Sequence, residues 1–488
     1  MYMNRENQGK KKERTKESGS IIIQVITFAA VSILILSGLV GWGAMSVRVA
    51  LHSEAREQAI QIAEAGIDYY RWHLAHAPSD FEDGTATSGP YVHDYMDKNG
   101  VKVGTFTLTI TPPLFGSTLV TIRSTGKVLR DESVARTIEA RLAKPSLAKY
   151  SVAANATMRF GSGTEIFGPV HSNGGIRFDA LAHNIVSSAV AQYNDPDFDD
   201  CNNNVSFGVH TCLNPKDPSP PAAVPSRPDV FQVGRQFPVP ALDFAGLTSD
   251  LAQMKTDAQT GGRYYAPSGG LGYLIVLSTN DTFDIFRVNT LVARGSCRIV
   301  NQPGWGTWSI GTTGSSKTLI EDDASFPLNG IIFVEDHLWV EGRINTARLT
   351  IAAAKFPDNP ATRRSITVNN DLIYTNYNGQ DVIALIAQNN FNVGLRSLTT
   401  LRIDAALIAQ NGRAGRYYYG SSCSPYHLRS TLTLYGMIGT AQRYGFAYTD
   451  GTGYAIRNIT YDANLLYGPP PSFPLTTDQY QTISWDEL

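Results

Sequence analysis

The sequence predicts a mainly β protein. A transmembrane N-terminal helix runs on over a small antiparallel sheet, and a large parallel β-helix, or solenoid, follows. Three observations carry this prediction. Ser20 to Val47 hold no charged residue, more than the roughly 20 residues a spanning helix needs. Residues 103–142 alternate apolar and polar side chains with the period of half-buried strands. Ala384-Leu385-Ile386-Ala387-Gln388-Asn389 recurs 22 residues later as Ala406-Leu407-Ile408-Ala409-Gln410-Asn411, the mark of a stacked repeat.

Composition bounds the function. The 488 residues carry 41 Lys+Arg against 43 Asp+Glu, a net charge of −2, without the basic excess of a nucleic-acid binder. Charged residues make up 17%, below the usual value of about 25%. With 43 glycines and few strong helix formers, the bulk is β- and turn-rich. Four cysteines are too few to scaffold such a chain.

The leader, residues 1–19, sets Arg5, Lys10, Lys11, Lys12, Arg14 and Lys16 against Glu6, Glu13 and Glu17. A basic flank stays cytoplasmic, so residues after Arg48 are expected outside. No proline interrupts the chain before Pro78, and residues 20–77 read as one helix, half membrane-spanning and half amphipathic. Ala55, Ala59, Ile62 and Gly66 form one stripe of small and apolar residues suited to close helix packing, opposite Glu57, Gln61, Glu64, Asp68 and Arg71.

These residues resemble the N-termini of type IV pilin-like proteins, in particular PilX-type minor pilins of pilus assembly. The likeness rests on a basic leader ending in Gly19, on Ser20-Ile21-Ile22-Ile23-Gln24 opening the apolar helix, and on Ala63-Glu64-Ala65-Gly66-Ile67. It covers roughly the first 145 residues. The resemblance implies cleavage between Gly19 and Ser20 by a prepilin peptidase, insertion in the inner membrane, and partnership with other pilin-like subunits. One position departs from the pattern. Such helices usually carry Glu at the fifth mature position, and here Gln24 supplies an amide without the charge. That fits a minor or initiating subunit better than one that polymerises alone.

Residues 78–148 read as the small antiparallel domain. Strands are expected at 103–111, 117–124 and 134–142, with a turn at Ser124-Thr125-Gly126 and a boundary at Pro145. Their apolar face can cover the helix stripe.

A first solenoid part is expected at 149–213, where Gly161, Gly163, Gly168, Gly174 and Gly175 punctuate short runs. This stretch resembles the start of C-terminal domains fused to PilX-like helices. An insertion at 214–262 holds eight of the 25 prolines and then a short helix on Leu247, Leu251, Met254 and Ala258, expected to cap an open solenoid end. The main solenoid spans 263–465, and an extended strap, 466–488, packs Phe473 and Trp485 back onto it. Val334–Leu338 and Val368–Leu372 look like a looser echo, and stacked Asn positions suggest amide ladders.

No catalytic motif is strong, and neither a cofactor nor a metal is called for. Gly311 to Thr318 lacks the glycine a phosphate loop needs before its lysine and reads as a polar turn. Ser146-Leu147-Ala148-Lys149 matches Ser-x-x-Lys without companion motifs. Asp195, Asp197, Asp199 and Asp200 read as a solvated acidic loop rather than a calcium site, and His171 and His183 as turn or core residues. Cys201 and Cys212 are close enough in sequence for a disulfide, whereas Cys297 and Cys423 stay unassigned. The run Tyr417-Tyr418-Tyr419 leaves at least one ring outward, able to meet a sugar or a protein.

The function expected is structural: a minor pilin or tip protein displaying an extracellular solenoid for assembly or adhesion to a surface glycan or protein. Two alternatives stand. One is a membrane-anchored polysaccharide-active enzyme using Asp322, Asp323, Glu335, Asp336 and Glu341; the other is a surface anchor unrelated to pili.

Overall fold

The structure, a computed structural model, describes residues 18–114, 116–197, 201, 205–244 and 251–488. The leader up to residue 17, Asp199, Asp200 and Leu247 lie outside the described residues. The chain is mainly β with one long N-terminal helix, and it divides into two compact units.

The first unit comprises Met1–Ile110, Ile122–Ala140 and Trp485–Leu488. Helix α1 (Ser18–His76) is a single element of 59 residues, about 90 Å long at 1.5 Å per residue. Along its first half Ile21, Phe28, Leu36, Trp42 and Leu51 are exposed, and this segment is long and apolar enough to cross a membrane. Along its second half Ala55, Ala59, Ile62, Ile67 and Tyr70 are buried, while Glu57, Gln61, Glu64, Asp68 and Arg71 face out.

The sheet of this unit has the strands β1 (Tyr91–Met96), β2 (Lys102–Thr111), β3 (Val120–Val128) and β4 (Asp131–Ala143) in sequence order, with Gln481–Glu487 added at the edge. β1 runs antiparallel to β2. Phe106, Leu108, Ile122, Ile138 and Ala140 are buried, as the alternation requires. Two strands were not legible: β1, and the C-terminal one, where Trp485 is half exposed rather than packed back. The Ser124-Thr125-Gly126 turn is also corrected. These residues sit inside β3, and the chain reverses at Leu129-Arg130. Gly126 is a close-approach glycine instead. A Cβ there would lie 2.1 Å from the Ala59 carbonyl oxygen and 2.6 Å from the Ala63 nitrogen.

The second unit comprises Thr111–Thr121 and Arg141–Ser484, and one large sheet dominates it. The hexapeptide repeat pairs in parallel and in register: Ala384 faces Ala406, Leu385 faces Leu407, and Ile386 faces Ile408. Parallel pairing continues across Ile331–Val334, Arg348–Ala353, Val382–Ala387, Thr400–Ala409 and Leu428–Thr440. A separate parallel row joins Ile366–Thr367, Phe391–Val393 and Ala414–Arg416. Leu385, Ala387, Leu407 and Ala409 enter the main core. Ile386, Ile408, Phe333 and Met437 face the other way, into a second cluster with Leu251, Met254 and Ala258 of helix α2 (Leu251–Gly261).

Several expectations change here. The spacing between paired residues is not constant: Ile331 pairs with Thr350, but Arg348 pairs with Val382. The looser echo is out of register, because Leu338 pairs with Ile366 while Leu372 pairs with Gly342. Asn411 donates to the Gln388 backbone carbonyl, not to a stacked amide. Helix α2 packs against Ile331–Val334 and against Arg263–Tyr265, the outermost parallel strand beside it. The parallel pairing passes instead from Leu338–Ile344 to Gly272–Leu277 and on to the antiparallel strands Thr282–Val288 and Lys317–Ser325. At the other side, Val152–Ala154 pairs with Leu428–Thr440, and Thr164–Phe167 pairs with Gly453–Tyr461. The segment before the proline-rich insertion therefore continues the stack from its C-terminal strands. Part of the insertion joins it too, since Arg235 and Gln236 pair with Val186 and Ser187.

Candidate functional site

Two places in the chain concentrate unusual chemistry. The first is α1. Gly19 and Ser20 fall in its first turn, and Gln24 is on the exposed apolar segment. The stripe read from sequence as suited to close packing is the one the small sheet was expected to cover. Ala55, Ala59, Ile62 and Gly66 are buried by the unit's own sheet. A Cβ on Gly66 would meet Ser124 Oγ at 2.3 Å and Phe106 Cδ2 at 2.9 Å. The exposed apolar surface of α1 is the segment from Ile21 to Leu51.

The second place is a cavity of about 950 Å³ in the β-rich unit, at the large end for ligand pockets. It collects five arginines, Arg159, Arg177, Arg413, Arg443 and Arg457, against Asp179 and Asp197. Of the acidic run, Asp197 lines the cavity and Asp195 is buried beside it rather than solvated, while Asp199 and Asp200 lie outside the described residues. Asp195 is 4% exposed. Its carboxylate lies 3.4 Å from His210 Nε2 and 3.6 Å from Arg177 Nη1. Burial pushes the Asp195 carboxyl up, but the His210 contact, the Asp197 amide and Arg177 outweigh it and hold it below the ordinary value. Asp197 receives Arg443 at 2.7 Å and Arg159 at 3.3 Å. Asp179 takes Arg177 Nε at 2.7 Å and the Cys212 amide at 2.7 Å. Asp179, Asp195 and Asp197 are each paired with arginines.

Arg413 and Arg457 have no carboxylate partner among the described residues. Arg457 is 6% exposed and bonds to Thr164 Oγ1 and to backbone carbonyls including Tyr454 and Ala455. Arg413 lies over the Tyr417 ring at 4.6 Å, and its Nη1 is 3.5 Å from Tyr448 Oη. Its Nη2 is buried without a partner, and so is the hydroxyl of Tyr444. Burial pushes the Tyr444 phenol up to about 12, against the pull of Arg457, so it is a neutral donor. A neighbouring hollow of about 380 Å³ shares Gln302, Arg413 and Gln442 with the cavity and adds Asn389 and Asn390.

A tyrosine–arginine cluster supports this wall. Arg416 is fully buried, donates to the Leu395 and Tyr426 carbonyls, and lies over the Tyr419 ring at 4.7 Å. Burial lowers its pKa to about 10, so it stays charged. Tyr417 and Tyr419 are each 1% exposed, while Tyr418 turns outward and bonds to Asp450 at 2.7 Å. Cys297 and Cys423 form a disulfide beside them, and Cys201 and Cys212 form another. His210 lies with Cys201 and Cys212, but the disulfide leaves no thiolate for a metal.

The remaining candidates do not converge. Glu335 bonds to Lys255 and to Tyr264 Oη at 2.7 Å, and Asp336 to Ser268 Oγ at 2.7 Å. Glu341 accepts from Asn370. Asp322 and Asp323 are on the antiparallel strand Lys317–Ser325, where Asp284 raises the Asp322 pKa. Ser146 Oγ donates to the Leu465 carbonyl, 319 residues away in sequence, and Gly314–Ser316 is a short 3-10 turn before a strand. His171 is buried, its ring tilted against that of Tyr150, with its pKa lowered by burial. His183 stacks on Phe167 at 4.1 Å. Sequence reading missed the cavity arginines because they come from five separated segments. The single local signal was Arg413 and Arg416 beside the tyrosine run.

No protein-family model matches the chain, and no curated protein matches it. Among solved structures, it is similar to the competence-associated pilin ComZ from Thermus thermophilus. That match is 13% identical and covers 89% of this chain and 98% of that one, with a TM-score of 0.28. The superposition is too loose to carry an inference about this chain.

Proposed function

We propose that this chain is a membrane-inserted, pilin-like subunit of the PilX type, a minor pilin or tip protein that displays a β-solenoid outside the cell. The observation that carries the reading is the division of α1. Its first half exposes a continuous apolar surface from Ile21 to Leu51, and its second half is sealed by an antiparallel sheet. Side chains such as Phe28, 74% exposed, and Leu34, 70% exposed, need lipid or other helices around them. The parallel pairing of Val382–Ala387 with Thr400–Ala409 supports the solenoid. Two disulfides fit an oxidising compartment and so an external domain.

In this reading a prepilin peptidase cuts between Gly19 and Ser20 at the inner membrane. The mature helix then joins those of other pilin-like subunits. Gln24 offers an amide where a carboxylate would pair with a neighbour's amine, so the subunit joins filaments started with others rather than growing its own. The role is assembly and display, without catalysis. Mass spectrometry of the mature membrane protein tests it. A terminus at Ser20 supports the reading, and an intact Met1 contradicts it.

A further inference from the structure

We propose that the C-terminal strand, Gln481–Glu487, is exchangeable between copies: the edge of β4 accepts this strand from a second copy of the chain in place of its own. The inference stands apart from the membrane and assembly reading, because it needs only the small sheet and the end of the chain.

It starts from how little holds the strand. None of its seven residues is buried. Ile483 is 37% exposed and Trp485 46%, so the strand adds nothing to the core that seals α1. Three things keep it in place. It pairs with β4, the Leu488 amide donates to the Thr137 carbonyl at 2.9 Å, and Glu487 forms an ion pair with Arg136. The same strand from a second copy would reproduce all three, so exchange loses no contact.

The chain just before the strand is fixed. Thr476 donates to the Pro145 carbonyl through its amide at 2.9 Å and through its hydroxyl at 3.0 Å. Leu475 bridges Ser146, and Phe473 is 4% exposed in the second cluster. Between this anchor and the strand lie residues 477–480, which form neither helix nor strand. An anchored segment, a short irregular hinge and a terminal strand that buries nothing make exchange cheap. An uncovered β4 edge is also a template for pairing with another chain. The short hinge holds the chain's own strand at an effective concentration on the order of millimolar. An isolated copy therefore stays closed, and crowding of copies favours exchange.

The test is cross-linking between two differently tagged full chains in detergent micelles, with a short bismaleimide. All four cysteines are in disulfides, so an introduced cysteine is the sole free thiol. Thr137→Cys and Leu488→Cys lie at the two ends of one backbone hydrogen bond. The double variant should cross-link within one chain, which shows that the reagent reaches. Mixed single variants should cross-link between chains. Removing residues 481–488 from the Thr137→Cys copy should raise that yield at least about tenfold, because the edge then has no strand of its own. Lys98→Cys, in the exposed turn after β1, replaces Thr137→Cys as the proximity control and should give no product. Deleting Asp478 and Gln479 shortens the hinge and should convert single chains to dimers in light scattering. A thermal melt confirms that each variant is folded. The proposal is overturned if the truncated Thr137→Cys chain, folded and reactive, gives no product with the Leu488→Cys chain. A yield as high from Lys98→Cys, or a folded hinge-shortened chain that stays monomeric, would overturn it as well.

Discussion

Replacing Gly126 by Ala adds one methyl group and tests the helix–sheet contact of the first unit directly. The new Cβ would stand 2.1 Å from the Ala59 carbonyl oxygen and 2.6 Å from the Ala63 nitrogen. Comfortable separation for such heavy atoms is about 3.5 Å. Both obstacles are backbone of α1, so no side-chain rotation relieves the clash and strand must move from helix by about 1 Å. Overpacking of this kind costs about 1–3 kcal/mol, and a rigid obstacle favours the upper end. The entropy gained by removing a strand glycine returns about 0.5–1 kcal/mol. A net loss of about 2 kcal/mol results.

Gly66→Ala is the control, because it adds the same methyl from the helix side. Its obstacles are Ser124 Oγ at 2.3 Å and the Phe106 ring at 2.9 Å. Ser124 has no hydrogen bond to lose on rotating, and alanine gains about 1 kcal/mol of helix propensity. The two terms nearly cancel. Hydrogen exchange of the β3 and β4 amides in the full chain reads the opening free energy of this sheet. Faster exchange in Gly126→Ala and near-native exchange in Gly66→Ala are expected. Equal protection in both variants, or a larger loss in Gly66→Ala, would refute the close-approach argument.

Three further expectations follow from the second unit. Ile386→Ala and Ile408→Ala should each cost about 2–5 kcal/mol, because both are buried neighbours in register. The double variant should depart from additivity by at least about 0.5 kcal/mol in an unfolding titration. Cys423→Ser should raise proteolysis of the segment from Leu291 to Ile310, since the disulfide to Cys297 anchors it, at a cost of about 2–5 kcal/mol. His337 is held near 4 by burial, then by Arg364, against the opposing pull of Asp336 and the Ser365 amide. Its folded pKa lies below the unfolded 6.5, so the unfolded state binds more protons between these values. Stability should therefore fall as pH drops from about 6.5 to about 4 and this contribution should level off below; His337→Gln should flatten that slope in pH-dependent melts.

The first unit was largely legible because burial there is one-sided. Ala55, Ala59 and Ile62 recur at helical spacing, and Phe106 and Leu108 alternate with threonines, so period alone places each face. The apolar face of those strands was expected to cover the helix stripe, although small residues suit a neighbouring helix and a neighbouring strand equally well. Gly126 shows the same ambiguity, since a glycine between polar residues reads as a turn when its reason is the backbone of α1. In the β-rich unit, register was readable only where the same hexapeptide occurs twice. Elsewhere the loops between paired strands differ in length, and no local pattern records that Val152–Ala154 pairs with Leu428–Thr440. The cavity was invisible for the same reason. Arg159, Arg413 and Arg457 meet only through long-range pairing, and in isolation each reads as an ordinary surface charge.

The assembly role turns on what surrounds the exposed half of α1. A photo-crosslinking residue placed at Phe28, and a second at Ala59, would read that environment in cells. Phe28 is 74% exposed and Ala59 is fully buried under the sheet. The account predicts that Phe28 captures the N-terminal helices of other pilin-like subunits, while Ala59 links only within its own chain. Capture of lipid alone at Phe28, with no protein partner under conditions where filaments form, would contradict it.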